Sequence, residues 1–314
     1  MIPTDVGVGR YAPSPSGDLH IGNLRTALLA WLFARHTDRG FVLRMEDLDR
    51  VAHGAAERQL DDLRALGIDW EPPVVRQSDR RSFYDNTIET LTARGLTYEC
   101  WCTRREILEA PAAPHTPAGA YPGTCRNLTG AELAERRAGN RPPALRLRSS
   151  VQHMTVTDLL HGEYTGAVDD LVLRRNDGTP AYNLVVVVDD AAQGVDQVVR
   201  GDDLLSSTPR QAYLAALLDI AVPTYAHVPM ALNREGVRLA KRDGAVTLAD
   251  LAAAGVTAPV AVSVIAESLG LAARGESVTA SDLLTRFDPA LLPRQPWVFD
   301  PSSVRRSVVR PAPG

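Results

Sequence analysis

The sequence predicts an α/β fold, a parallel sheet covered by helices on both faces, interrupted by an inserted α+β module and followed by a short helical region. Three observations carry that prediction. Short apolar runs such as Phe41-Val42-Leu43 alternate with stretches in which apolar residues recur at helical spacing, the pattern of crossover connections in a parallel sheet. Polar residues gather where two of these runs end: Arg44, Glu46, Asp47 and Asp49 after the first, and Arg200 to Asp203 after Val195, Val198 and Val199. Ligands in open α/β sheets lie just beyond such strand ends. From about residue 99 to about residue 180 the alternation lapses and three cysteines appear, which marks the insertion.

Residues 1–98 read as the first half of the sheet unit. A short apolar strand runs into Arg10 to Asn23, where Pro13 and Pro15 hold the backbone extended and Gly17 permits a tight reversal. Leu24, Leu28, Trp31 and Leu32 then recur at helical spacing, so a helix begins at His20-Ile21-Gly22 and closes by Gly40. After the strand Phe41-Val42-Leu43, a helix with Leu60, Leu63 and Leu66 ends at Gly67, and Pro72-Pro73 breaks the chain. Ser78 is placed to cap a further helix carrying Phe83, Ile88 and Leu91, which stops at Gly95.

The insertion spans residues 99–180, with a Pro/Ala/Gly-rich stretch from 111 to 125. The second half of the sheet unit occupies 181–245. Its first run, Ala181 to Val188, is ambiguous, because four consecutive valines favour a strand. Ser207 or Thr208 caps a helix with Pro209 in its first turn and Leu214, Leu217 and Leu218 along it. In residues 246–314, Thr247 and Asp250 open a short helix, helical patterning continues to about Gly270, and the tail through Arg305, Arg306 and Arg310 has little pattern.

With 314 residues the chain has room for about two domains. Its 45% hydrophobic and 23% charged content is that of a soluble globular protein. No apolar run is long enough to cross a bilayer and no cationic-then-apolar leader opens the chain, so a cytoplasmic protein with no membrane partner is expected. A net charge of −4 places any RNA contact on local basic patches, for which Arg136, Arg137, Arg141, Arg146 and Arg148 in the insertion are candidates; a solvated face is the other explanation of such a run. Of the 34 basic residues, 33 are Arg, and the single Lys stands at position 241. A lone ammonium in such a chain suggests a position where a planar guanidinium cannot serve.

A helix start at His20 offers unpaired amides and about half a positive charge, a natural phosphate site. His20 adds a side-chain donor, and Gly22 lets a flat base or ribose approach the backbone. His20-Ile21-Gly22-Asn23 resembles the first signature of the class I aminoacyl-tRNA synthetases, usually His-Ile-Gly-His, and the lead-in Arg10 to Gly17 resembles their glutamyl branch. The run Arg200 to Gln211 resembles a block characteristic of glutamyl-tRNA synthetases. Arg238-Leu239-Ala240-Lys241-Arg242 occupies the place of the second signature, Lys-Met-Ser-Lys-Ser, with Lys241 at its second lysine. Arg238 and Ala240 depart from it, and Gly236 and Gly244 flank it.

The resemblance implies a Rossmann-type sheet whose two halves bind nucleotide. It implies helix for Ala181 to Val188, ATP contacts from His20, Gly22, Asn23, Lys241 and Arg242, and catalysis by His20 and Lys241. It assigns glutamate contacts to Arg10, Ala12, Ser14, Glu46, Tyr182 and Arg200. The chemistry is coherent: glutamate carries two carboxylates and one ammonium, two arginines can each grip a carboxylate bidentately, and Glu46 can receive the ammonium. In-line attack of the α-carboxylate on ATP gives glutamyl-adenylate by positioning and charge stabilisation, with magnesium on the phosphates.

Cys100, Cys102 and Cys125 are the only cysteines, an odd count that argues against a disulfide framework. They resemble three ligands of a structural zinc site; unmetallated buried thiols are the plainer alternative. His115 is the commoner ligand type for a fourth position, whereas the glutamyl-queuosine branch of the family uses the Tyr of a Tyr-x-x-x-Cys motif, here Tyr121. That branch also lacks an anticodon-binding domain, for which the residues after Lys241 leave no room. It implies activation of L-glutamate without tRNA and transfer to queuosine at the wobble position of tRNA(Asp). A glutamyl-tRNA synthetase catalytic half working with a separate anticodon-binding chain, and a non-catalytic amino-acid- or RNA-binding paralogue, are the competing readings.

Overall fold

The structure, a computed structural model, describes residues 6–109, 120–239 and 246–301. Strand β1 (Val8–Tyr11) crosses through α1 (Ile21–His36) to β2 (Gly40–Met45), and α2 (Ala55–Ala65) leads on to β3 (Glu71–Arg76). Each strand lies parallel to its neighbour. The chain then reverses direction across the sheet. After α6 (Tyr182–Ala192), β9 (Val195–Gly201) pairs parallel with the other side of β1, and α7 (Thr208–Leu217) carries the chain to β10 (Thr224–Val228), parallel to β9. Strand order thus reverses between β1 and β9, and the crevice at their carboxyl ends is where such sheets bind ligands.

Alternate strand residues supply the two faces. Phe41, Leu43, Val199, Ala226 and Val228 join the core around α1, while Val42, Val198 and Tyr225 turn to the other side. Nearly every residue of α1 from Ile21 to Ala34 is buried, because β-strands cover one side and α8 (Leu248–Ala253), α9 (Ala258–Ser268) and α10 (Ala280–Arg286) cover the rest. A helix apolar all round belongs inside. The same holds for α6, where Leu184 to Val188 are all buried, so tertiary packing overrides the strand preference of four valines. Thr247 and Asp250 form a reciprocal capping box at α8, as their spacing predicts.

Several local expectations are corrected. The first helix ends at His36, and Gly40 already begins β2. Pro72-Pro73 does not end an element but lies inside β3, at the sheet edge, where a missing amide leaves no ladder bond unmade. Ser78 caps no helix: its amide and hydroxyl both bind the Asp47 carboxylate at 2.8 Å, and the helix starts three residues later as α3 (Arg81–Ala93).

Between residues 99 and 180 the chain does two things. β4 (Thr97–Cys100), β5 (Ala144–Leu147) and β8 (Val172–Arg174) form a separate antiparallel sheet, accompanied by α4 (Arg104–Glu109) and α5 (Gly130–Ala138). The hairpin of β6 (His153–Asp158) and β7 (Gly162–Ala167) instead joins the central sheet, β6 lying parallel to β10 at the pair Tyr225 and Asp158. The full order is β3-β2-β1-β9-β10-β6-β7. Past β10, β11 (Ala231–Leu232) pairs with β12 (Trp297–Val298), tying the far end of the described chain to the approach of the second signature.

Candidate active site

α1 starts at the carboxyl end of β1 with His20 as its N-cap. The His20 ring accepts the Asn23 amide at Nδ1 (3.2 Å), and the Asn23 side-chain oxygen accepts the His20 amide (3.3 Å), a capping box built from unusual residues. A neutral His20 accepting at Nδ1 carries its proton on Nε2. The Ile21 amide goes to the Val246 carbonyl at 2.9 Å. The expected row of unpaired amides therefore reduces to that of Gly22, the helix-start amide with no partner among the described residues. Gly22 also sits in a tight place: a Cβ there would meet the Ala231 methyl at 3.0 Å and the His20 ring at 3.1 Å, so either neighbour would have to give.

Ala12, Ser14, His20, Gly22, Asn23 and Arg200 line one cavity of about 540 Å³ at the strand-order reversal. Arg238 closes across it to Asp203 at 2.7 Å. Lys241, Arg242, Ala240 and Gly244 lie outside the described residues, as does His115. The segment holding Lys241 is nevertheless framed, because Leu239 bonds back to Ala231 and Val246 bonds to the start of α1.

Behind Arg200 lies a buried charge cluster. Arg10, at the end of β1, donates through Nη1 to the Val199 carbonyl (3.1 Å), and its buried Nε lies 3.4 Å from Asp190 Oδ1, an ion pair without a hydrogen bond. Arg44 is wholly enclosed and reaches Asp190 at 2.7 Å, Glu46 at 3.4 Å and Asp189 at 3.6 Å. Burial alone would lower the Arg44 pKa, but those three carboxylates raise it, so the guanidinium stays charged. Burial raises the Glu46 pKa despite Arg44 and Arg10. Burial likewise disfavours the Asp190 carboxylate, yet Arg44 and Arg10 bring its pKa below the ordinary range. Tyr182, on the first turn of α6, lies within the fields of Arg200, Glu46 and Arg10. The cluster sets guanidinium groups, which suit carboxylates, beside Glu46, an anion that its arginine neighbours offset only in part against burial.

The three cysteines converge at the end of β4. Their sulfurs lie within 4.8 Å of one another. The Tyr121 hydroxyl is 3.4 Å from Cys100 Sγ and 3.9 Å from Cys102 Sγ, and accepts the Cys125 amide at 2.8 Å. Burial and the neighbouring Cys100 push the Cys102 thiol up to about 12, a penalty that a bound cation would reverse. Three thiols and a phenol oxygen converging this closely suit a tetrahedral cation such as zinc. The nearby arginines are mostly occupied within the module. Arg146 is buried with its guanidinium 3.7 Å from the Tyr121 ring centroid, Arg137 pairs with Glu99, Arg141 holds the Trp101 carbonyl and Arg148 the Arg126 carbonyl, which leaves Arg136 on an exposed helix.

The description of class I tRNA synthetases for glutamate and glutamine, catalytic domain, matches residues 7–305. The chain belongs to this family. Among its relatives is the glutamyl-Q tRNA(Asp) synthetase of Nocardia farcinica, 65% identical, with 95% of this chain and 94% of that protein covered. Glutamate–tRNA ligase 1 of Halorhodospira halophila is 38% identical over 94% of this chain, but the match spans only 65% of that protein. The crystal structure of a glutamate tRNA ligase from Elizabethkingia meningosepticum with its amino acid superposes with a TM-score of 0.79 at 26% identity, covering 96% of this chain and 68% of the other. Among the described residues, no helix of this synthetase-family chain is long and apolar enough to cross a membrane.

Sequence reasoning placed Arg44 at a strand end without giving it a role, and missed Asp189, Asp190, Asp158 and His227 as parts of the site. A signal existed for two of them. Arg44 interrupts an apolar strand, and Asp190 follows a run of valines, and charges in such settings are buried only when paired.

Proposed function

We propose that the chain activates L-glutamate with ATP to glutamyl-adenylate, without tRNA, and transfers the glutamyl group to queuosine at the wobble position of tRNA(Asp). The observation that carries this reading is the 65% identity to a glutamyl-Q tRNA(Asp) synthetase over nearly the whole of both chains. The partial overlap with the longer glutamate–tRNA ligase favours it over charging of tRNA(Glu).

Arg10 and Tyr182 grip the side-chain carboxylate, Arg200 the α-carboxylate and Glu46 the ammonium, with Ala12 and Ser14 shaping the wall. Glutamine, which lacks the second charge, forfeits the charge-assisted bonds at Arg10. The α-carboxylate attacks the α-phosphorus of ATP while His20, Gly22, Asn23, Lys241 and Arg242 hold the nucleotide. Charge developing on the phosphates is stabilised by Lys241 and the start of α1. Magnesium accompanies ATP. Cys100, Cys102, Cys125 and Tyr121 hold a zinc ion that cross-links the module.

The deciding experiment incubates the protein with ATP, labelled glutamate and tRNA(Asp) with or without queuosine, and locates the label. Label confined to queuosine-containing tRNA(Asp) is expected. Label on the 3′ end of tRNA(Glu) would overturn the transfer step, and no glutamate-dependent pyrophosphate exchange would leave a non-catalytic binder. For the metal, Tyr121→Phe should release zinc to a chelator at a concentration at least about 10–100-fold lower than the unaltered protein requires, since losing even a group that only orients a ligand weakens a site by that much. Unchanged retention would take Tyr121 out of the ligand set and leave His115 as the remaining candidate.

A further inference from the structure

Arg200, near the end of β9, is braced from β10 and from the start of α7. Its Nε donates to His227 Nε2 at 3.0 Å and its Nη2 to Thr208 Oγ1 at 2.8 Å, while Nη1 has no partner among the described residues. His227 stands opposite Arg200 in the register of β10 and is fully buried. Its ring Nδ1 lies 2.6 Å from Asp158 Oδ2, and the same oxygen accepts the His227 amide at 3.0 Å. The other Asp158 oxygen accepts the Leu160 and His161 amides at 2.9 and 3.0 Å, which fixes the carboxylate in place. Asp158 belongs to β6, so the chain Asp158, His227, Arg200 crosses three adjacent strands.

The chemistry of the groups sets the proton positions. A guanidinium only donates, so Nε2 must accept, the proton sits on Nδ1, and Nδ1 donates to Asp158. Burial lowers the His227 pKa, and the Arg200 charge adds to it, against the pull of Asp158.

We propose that His227, oriented by Asp158, is a positioning residue that fixes the Arg200 guanidinium so that Nη1 meets a substrate carboxylate. The proposal rests on the assignment of Arg200 to the glutamate pocket made above. Without the acceptor at Nε2, Arg200 would keep a buried unpaired donor and could swing about its stem, held by Thr208 alone.

Two substitutions separate positioning from mere packing. His227→Asn retains a donor near Asp158 but removes the acceptor facing Arg200; His227→Gln reaches further and restores an acceptor there. In glutamate-dependent pyrophosphate exchange, His227→Asn is expected to raise the glutamate KM about tenfold or more with the ATP KM and kcat little changed, while His227→Gln recovers most of the glutamate affinity. Equal losses in both variants, following their loss of melting temperature, would reduce His227 to a packing residue. Nitrogen NMR of the histidine-labelled protein supplies a readout that needs no turnover. A proton on Nδ1 of His227 is expected, and a proton on Nε2 would overturn the relay. Absence of exchange in the unaltered protein would defeat the glutamate reading and with it the substrate role of His227, whereas the tautomer would still decide whether the relay exists.

Discussion

Lys241→Ala is expected to lower glutamate-dependent pyrophosphate exchange by about 10²–10³-fold, the scale on which loss of one donor to developing charge acts, with glutamate binding little altered. The expectation comes from composition and framing together. In a chain with 33 arginines, the solitary lysine falls in the second signature of the family, between two backbone anchors. Those anchors are the Leu239–Ala231 bond on one side and the Ile21–Val246 bond, at the start of α1, on the other. A compact ammonium can follow a phosphoryl group through its displacement, where a planar fork would prefer one fixed geometry. Exchange kinetics read the loss, and calorimetry with glutamate alone reads the binding. Equal damage to both would show that Lys241 serves the amino acid instead.

Arg10→Lys should raise the glutamate KM by about 10²-fold and leave the ATP KM nearly unchanged, since charge-assisted bonds contribute roughly twice as much as neutral ones and a lysine cannot form the bidentate pair. Lysine is the informative replacement. It keeps a cation beside Asp190, 3.4 Å from Arg10, and so preserves the charge balance of a cluster in which Asp190 also pairs with Arg44. It also lacks the Nε that lies buried beside Asp190 without a hydrogen bond. Steady-state exchange with glutamate and ATP varied separately tests the split. A parallel rise in both KM values would point to a collapsed crevice instead of a lost carboxylate contact.

Much of this architecture was legible because it is local. Apolar periodicity marks α1, α2 and β2, and Thr247 with Asp250 announces α8 within four residues. The parallel sheet follows from the alternation itself. What escaped depends on residues far apart in the chain. No pattern within residues 150–170 says that β6 will lie beside β10, since pairing is set by packing and not by propensity. The Ile21 amide is taken by a carbonyl more than 200 residues later, so a helix start that looked open is mostly closed. The buried cluster was hidden for a different reason. The apolar runs around Arg44 and Asp190 hint at burial, but only the fold shows that the two meet, 2.7 Å apart in a dry interior.

The parallel pairing of β6 with β10 also bears on how far this protein can be taken apart. A hairpin that begins inside the inserted stretch ends as the penultimate and last strands of the main sheet, and it brings Asp158 within reach of His227. The stretch is therefore not a detachable cassette. Trimming the chain to a minimal adenylating core must spare residues 153–167, even where the rest of the inserted stretch is removed.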